Sequence, residues 1–186
     1  MPRKSLAAPA RAAQLAARLA ATVRTVPDHP RPGILFRDIT TLLADGVAFH
    51  DAIDAIASAH ADAGVELVAG VESRGFILGG PLAYLLGTGF VPLRKQGQLP
   101  SATVAVPYAL EYGEAVLEVH ADAISHGHRV LIVDDVLATG GTAAAAIQLV
   151  EKLGGVVAGL AFLIELEGLG GAAALGGRAH SSLITF

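Results

Sequence analysis

Residues 130–143 read VLIVDDVLATGGTA, an apolar run that leads through two adjacent carboxylates into a turn of small residues. The run 129–133 predicts a buried strand, and the segment 142–153 predicts a helix. Further apolar runs alternate with helix-like segments, at 66–71, 89–93 and 156–164. This alternation predicts an α/β fold with a mostly parallel central sheet flanked by helices.

The composition limits the class of protein. Of 186 residues, 53% are hydrophobic and 16% charged, which is typical of a folded domain and not of a disordered segment. The formal net charge of −4 argues against a general nucleic-acid binder, which usually has a basic face. The lack of cysteine excludes disulfides, thiolate zinc sites and cysteine nucleophiles. No apolar run reaches the roughly 18 residues of a membrane helix, so we expect a compact, soluble, cytoplasmic protein.

The turn at 138–142 has the features of an anion site. Gly140 and Gly141 allow a tight turn, and the free N–H groups at the start of the following helix suit a phosphate. The hydroxyls of Thr139 and Thr142 add two more donors. The carboxylates at 134–135 would repel a phosphate alone, but they accept hydrogen bonds from a ribose diol or face a metal. An ordinary capped turn explains one Asp or one Thr here, but not the whole run.

The pattern V-D-D-x-x-A-T-G-G-T of residues 133–142 resembles the phosphoribosyl-pyrophosphate signature of the type I phosphoribosyltransferases. Further segments narrow the resemblance to the adenine phosphoribosyltransferases: PGILFRD at 32–38, ESRGF at 72–76, RKQGQLP at 94–100 and LEYG at 110–113. The resemblance covers about residues 20–186. It implies one type I phosphoribosyltransferase domain over residues 1–186, with a hood or lid.

The implied activity is a step of purine salvage. The phosphoribosyl group of 5-phosphoribosyl 1-pyrophosphate is transferred to adenine, and AMP and pyrophosphate are formed. Mg²⁺ is the implied cofactor, held mainly by substrate oxygens and waters, because magnesium keeps its waters readily. The sequence shows no compact set of ligand-spaced carboxylates elsewhere, so we assign no metal ligand to the protein. A homodimer is also implied, and no nucleic-acid or membrane partner.

The resemblance implies a role for each matched residue. By this resemblance, the 5′-phosphate is bound by Ala138, Thr139, Gly140, Gly141 and Thr142. The ribose hydroxyls are bound by Asp134 and Asp135. The pyrophosphate is bound by Ser73, Arg74, Arg94 and Lys95. Adenine is bound by Leu35, Phe36 and Arg37. The implied catalytic residues are Glu111, as a proton-handling group for the purine nitrogens, and Arg74, and Tyr112 is a lid contact.

Each of these assignments has a plainer alternative. Arg74 suits a surface salt bridge, and residues 94–95 suit a solvated entry to a hairpin. Glu111 suits an ordinary exposed acid, and Tyr112 suits packing. Arg37 and Asp38 suit a pair that braces their own loop. In addition, Gln98 stands where the family usually has lysine, which removes a positive charge from the pyrophosphate region.

The remaining segments are placed by pattern. Leu15, Leu19 and Val23 recur at helical spacing and predict an opening helix, with residues 1–14 frayed. The prolines and glycine of 26–41 predict an ordered loop. Residues 94–113 predict a hairpin-like excursion, which as a mobile lid would exclude water from the reacting centre.

Three rival functions remain open from the sequence. A phosphoribosyltransferase for another base would share the phosphate turn and differ at 35–37 and in the lid. A regulatory protein that senses phosphoribosyl pyrophosphate would need a DNA-binding module or a basic face, and the net charge is negative. A purely structural α/β domain leaves the run at 134–142 unexplained.

Overall fold

A computed structural model describes residues 8–109 and 113–186. The chain divides into two compact units, Met1–Asp54 and Ala55–Phe186. The helices are α1 (Ala8–Thr22), α2 (Thr40–Ala44), α3 (Gly46–His60), α4 (Arg74–Leu86), α5 (Gly141–Lys152) and α6 (Gly171–Ala174). The strands are β1 (Arg24–Pro27), β2 (Leu35–Asp38), β3 (Leu67–Val71), β4 (Gly89–Lys95), β5 (Thr103–Ala109), β6 (Glu114–His120), β7 (Arg129–Leu137), β8 (Val156–Glu165) and β9 (His180–Thr185). None of the helices in these two ranges is long and apolar enough to cross a membrane.

The first unit contains a small antiparallel hairpin. Strands β1 and β2 pair from Arg24 opposite Asp38 to Pro27 opposite Leu35. The prediction of a loop over 26–41 is therefore wrong for its two ends, which enter strands and the start of α2. Pro27 is the last residue of β1, and only Pro30, Pro32 and Gly33 lie in the connection between the strands. Helix α1 begins at Ala8, so the second half of the segment expected to be frayed is helical.

The second unit is built on a seven-stranded sheet of order β5-β6-β4-β3-β7-β8-β9. The run from β4 to β9 is parallel, and β5 and β6 are antiparallel at one edge. The predicted α/β class with a mostly parallel sheet is confirmed. In the excursion predicted over 94–113, the described residues form the end of β4, a connection and β5. Strand β5 pairs antiparallel with β6, which begins after the excursion at Glu114.

The central strands are apolar because both of their faces are covered. Helix α4 packs against β3, β4 and β7, and α5 packs against β5, β6, β7 and β8. Residues 130–133 of β7 are all buried, and Phe162 of β8 is among the largest fully buried side chains. Since β3, β4 and β7 are parallel neighbours, their carboxyl ends meet at one edge of the sheet, where ligands of such folds bind.

Candidate active site

The turn between β7 and α5 forms a small pocket at that edge. The pocket has a volume of about 70 Å³ and is lined by residue 134 and residues 136–143. Gly140 adopts a left-handed φ of +81°, and a Cβ there would lie 2.6 Å from the Ala174 Cβ and 2.7 Å from the Gly171 carbonyl oxygen. Only glycine fits this position, because the turn packs directly against α6.

The pocket has unengaged donors at its helical end. The α5 bond from the N–H of Ala144 to the Gly140 carbonyl measures 2.9 Å. The N–H groups at 141–143 precede that bond, so they are free of α-helical partners and point out of the helix start. The N-cap residue, Gly140, makes no side-chain hydrogen bond to this end. The turn therefore offers a small anion a set of N–H donors and the positive end of a helix dipole.

Two adjacent carboxylates flank the pocket. Strand β7 continues to Leu137, so Asp134 and Asp135 belong to the strand itself and do not follow it as the sequence predicted. Asp134 is partly exposed and lines the pocket, whereas Asp135 is 4% exposed. The N–H of Asp135 donates to Asp134 Oδ1 at 2.9 Å.

Burial disfavours the charged form of both acids, and the negative charge of Asp135 adds to this effect at Asp134. Burial, and then the negative charge of Asp135, raise the pKa of Asp134 well above its ordinary value. Burial also raises the pKa of Asp135, and the positive charge of Arg74 opposes that rise. Acids with raised pKa values cluster at functional sites, so this pair marks a candidate site.

Arg74 faces this carboxylate pair from the start of α4. Its Nε lies 2.8 Å from Asp135 Oδ2. The contact is an ion pair without hydrogen-bond alignment, and Asp135 Oδ2 is buried with no hydrogen-bond partner among the described residues. The structure therefore shows Arg74 in a salt bridge, as the plainer alternative expects, and the partner is a buried acid. Gly75 permits the approach, since a Cβ there would lie 2.7 Å from the Val133 carbonyl oxygen.

The third group at this edge is built on Glu72 and the end of β4. Arg94 donates to both Glu72 carboxylate oxygens, from Nε and Nη2, each at 3.2 Å. The Lys95 N–H donates to Glu72 Oε2 at 3.0 Å, and Arg94 Nη1 donates to the Gln98 carbonyl at 2.9 Å. The hydrogen bonds from Arg94 lower the pKa of Glu72. Arg94 is thus held in place, and it is not a freely solvated cation.

Glu72 was not predicted as a site residue. The sequence places it directly before Ser73 at a strand end, and the Glu72–Ser73 peptide bond is cis. Its partners are about twenty residues away along the chain, in β4. The signal that could have identified it is an acid at the carboxyl end of one strand and two cations at the end of the next.

The predicted adenine residues lie on β2 in the first unit. The ring of Phe36 contacts that of His29 edge to face, with centroids 5.0 Å apart, and Leu35 is exposed. Arg37 Nη1 donates to the Thr25 hydroxyl at 2.5 Å. The ion-pair partner that the structure shows for Asp38 is Arg24, on the neighbouring strand β1. The Arg37–Asp38 brace stays an untested alternative.

The Asp38 carboxylate also stabilises the start of α2. Its Oδ1 accepts the N–H of Thr40 at 2.9 Å. Hydrogen bonds from the N–H and hydroxyl of Thr40, and then from Arg24, lower the pKa of Asp38 to about 2. The carboxylate therefore stays charged at any physiological pH and holds the end of β2 against the following helix.

Two predicted site residues, Glu111 and Tyr112, lie outside the described residues. Their assignments as a proton-handling group and a lid contact stay predictions. The described strands β5 and β6 lead into and out of this segment.

Comparison with known families identifies the class of protein. The model of the phosphoribosyl transferase domain matches residues 40–172, which is more than half of the chain. The chain therefore belongs to the phosphoribosyltransferases. That match includes the turn between β7 and α5, both carboxylates, Arg74 and Arg94.

Individual relatives narrow this family. The adenine phosphoribosyltransferase of Leuconostoc citreum is 61% identical over 150 residues, 80% of this chain and 85% of the relative. That of Paracoccus denitrificans is 56% identical over 158 residues, 85% of this chain and 84% of the relative. The chain thus falls in the adenine phosphoribosyltransferase branch, as its sequence segments predicted.

Solved structures agree with this placement. The adenine phosphoribosyltransferase of Thermoanaerobacter pseudethanolicus matches with a TM-score of 0.89 and 49% identity, covering 91% of this chain and 99% of the other. The enzyme of Saccharomyces cerevisiae, crystallised with adenine and an imino-altritol bisphosphate, matches with a TM-score of 0.87 and 38% identity, covering 92% and 99%.

A first prediction concerns the contact of the phosphate turn with α6. Gly140→Ala should lower the free energy of unfolding by about 1–3 kcal/mol more than Gly168→Ala, in urea denaturation. Both glycines have a left-handed φ, but a Cβ at Gly168 meets nothing within 4 Å. Gly168→Ala therefore reports the cost of a left-handed φ alone, without a steric overlap of the added Cβ. Equal losses in the two variants would contradict the packing described here.

A second prediction concerns the carboxylate pair. Asp134→Asn should stabilise the fold by about 0.5–2 kcal/mol at neutral pH, because the amide removes a buried repulsion while its oxygen still accepts the Asp135 N–H. An acid whose pKa is raised by folding lowers stability as pH rises from about 4 through the raised pKa. Thermal unfolding between pH 4 and 8 should therefore show a flatter profile for the variant. The exposed Asp62→Asn serves as control, and a destabilised Asp134→Asn would refute the repulsion.

Proposed function

We propose that this chain transfers the phosphoribosyl group of 5-phosphoribosyl 1-pyrophosphate to adenine, giving AMP and pyrophosphate, with its own residues in the roles that follow. The observation that carries the proposal is the pocket of about 70 Å³ beside two adjacent carboxylates and an arginine. A phosphate, a sugar diol and a second anion are the three parts of that substrate. The yeast relative crystallised with adenine and a bisphosphate supports the same assignment.

The ribose phosphate is assigned to β7 and the turn that follows it. The 5′-phosphate accepts hydrogen bonds from the N–H groups and hydroxyls of 138–142. Asp134 and Asp135 accept hydrogen bonds from the ribose hydroxyls. The support for the first of these two acids is its position, because Asp134 lines the pocket together with the turn. Asp135 follows it directly and is paired with Arg74.

Magnesium fits this arrangement as an ion that arrives with the substrate. Carboxylate oxygens are ligands that Mg²⁺ accepts, and it usually retains several waters. Across the described ranges, no three acidic or histidine side chains form a metal-binding group. Asp134 and Asp135 would therefore hold the hydrated ion by accepting hydrogen bonds from its waters. When bound, the ion supplies positive charge to the pyrophosphate oxygens.

The leaving pyrophosphate is assigned to Ser73, Arg74, Arg94 and Lys95. Departure of this group leaves an oxocarbenium-like sugar and places negative charge on the leaving oxygens. Cations that are already oriented stabilise this charge without reorganisation at the moment of reaction. The hydrogen bonds from Arg94 to Glu72 and Gln98 provide this orientation. No covalent intermediate with the enzyme is needed, because the base attacks the sugar directly.

Adenine recognition is assigned to Leu35, Phe36 and Arg37. A phenylalanine ring can lie against a purine face, and backbone groups beside it can read the amino edge. Glu111 handles the proton of the purine nitrogen. The segment 94–113, with Tyr112, closes as a lid, because water would otherwise compete with adenine for the sugar.

A third prediction tests the reaction and its base. Pyrophosphate release should occur with phosphoribosyl pyrophosphate, Mg²⁺ and adenine, and stay at background with hypoxanthine, guanine or xanthine. Release with another base would retain the phosphate site and overturn the assignment of 35–37. Binding of phosphoribosyl pyrophosphate without release for any base would indicate a sensor and contradict the enzyme.

The partner is proposed to be a second copy of the chain, in the cytoplasm. Type I phosphoribosyltransferases commonly form homodimers. Helix α4 offers a surface for this association, because Ile77, Tyr84 and Leu85 are exposed apolar residues on it, with Tyr84 85% exposed. Ile77 and Tyr84 are two helical turns apart and share a face. A symmetric dimer buries such a patch against its own copy.

A fourth prediction tests this association. Light scattering should give twice the 18.9 kDa chain mass, and Tyr84→Glu should shift the protein toward the monomer because a charge is costly in an apolar interface. Leu169→Glu is the matched control, since Leu169 is also an exposed apolar residue but lies outside α4. A monomeric parent protein, or equal effects of the two variants, would contradict the proposal.

A further inference from the structure

Glu118 is a buried acid to which the reaction described above gives no role. It lies on β6 and is only 4% exposed. Its Oε1 accepts hydrogen bonds from three consecutive backbone N–H groups, of Gly97 at 3.0 Å and of Gln98 and Leu99 at 3.2 Å. The arrangement is a nest of amides around one carboxylate oxygen.

This carboxylate selects the conformation of the turn that follows β4. Burying a charged carboxylate is costly unless hydrogen bonds stabilise it, and three N–H donors can meet at one oxygen only when the turn has one shape. The turn is also closed by a hydrogen bond from the Gln98 N–H to the Lys95 carbonyl at 3.3 Å. Gly97 permits it with a left-handed φ of +80°.

The turn in turn orients Arg94. The carbonyl of Gln98 accepts a hydrogen bond from Arg94 Nη1 at 2.9 Å, on the side of the guanidinium away from Glu72. Glu118 also lies directly opposite Arg94 in the β4–β6 register. A continuous set of contacts therefore runs from the Glu118 carboxylate through the turn backbone to the guanidinium.

The same carboxylate contacts the far end of the loop. Its Oε2 accepts a hydrogen bond from the hydroxyl of Thr103, the first residue of β5, at 3.4 Å. Glu118 therefore links both ends of residues 96–103 at the base of the β5–β6 hairpin. One acid fixes the start of the segment that we propose as a lid.

We infer that Glu118 is a positioning residue that holds Arg94 ready for the pyrophosphate of the substrate. The inference rests on the proposed function. Glu118 acts through the turn and touches no reacting atom. Its loss should therefore weaken pyrophosphate binding selectively, and leave adenine binding unchanged.

The test compares Glu118→Gln with the exposed Glu114→Gln on the same strand. Glu118→Gln should raise KM for phosphoribosyl pyrophosphate about 10-fold, the loss expected for a charge-assisted hydrogen bond, with KM for adenine within about twofold. In an Arg94→Ala background the same change should have little further effect, because the contact it acts through is gone. Glu114→Gln should behave as the parent protein.

Gly97→Ala gives a second variant that does not disturb the buried acid. A Cβ there meets nothing within 4 Å, so the change strains only the left-handed backbone of the turn. It should give the same selective rise in KM. Equal changes in both KM values, or full additivity with Arg94→Ala, would make Glu118 a merely structural residue.

Direct calorimetric titration of magnesium pyrophosphate separates this inference from the proposed function. The parent protein should bind it, and Glu118→Gln should bind it about 10-fold more weakly. If pyrophosphate binding follows this pattern while no base supports turnover, the proposed reaction fails and the positioning role holds. If turnover with adenine is normal and pyrophosphate binding is equal in the two proteins, the positioning role is overturned.

Discussion

The site depends on one electrostatic contact, the ion pair between Arg74 and the buried Asp135. Burial, and then the negative charge of Asp135, disfavours the charged form of Asp134 within β7. Arg74 offsets this cost only because α4 starts against the end of β7, which requires glycine at position 75. The order β4-β3-β7 then brings the second cation, Arg94, to the same edge. The parallel sheet is therefore the frame that makes a concentration of opposite charges possible.

Each oriented cation at this edge already has an acid as partner within the protein. Arg74 faces Asp135, and Arg94 is held by both oxygens of Glu72. An arriving anion therefore meets guanidinium groups whose geometry is set, and whose charge is partly neutralised. In the reaction proposed above, such an arrangement would weaken the binding of pyrophosphate but orient the cations in advance, which suits a product that must be released.

The fold was largely predictable and the contacts of the site were not. Buried parallel strands are apolar on both faces, so β3, β4, β7 and β8 are visible in the sequence as apolar runs. Strands β1 and β2 have only four residues each, which is too short to show the alternation of polar and apolar residues that predicts a strand. The phosphate turn is local and was predicted with its helix. The partners of Arg94 depend on strand order, and so Glu72 and Glu118 were missed.

The glycine- and alanine-rich stretch before β9 has the composition of a simple connecting segment, with no pattern that predicts a contact. Its residues 171 and 174 nevertheless form the surface on which Gly140 rests, at distances that leave no room for one added carbon. Small side chains are required there, because larger ones would push the turn away from α6. A sequence comparison that scores such stretches as unconstrained filler would therefore overlook one wall of the phosphate turn.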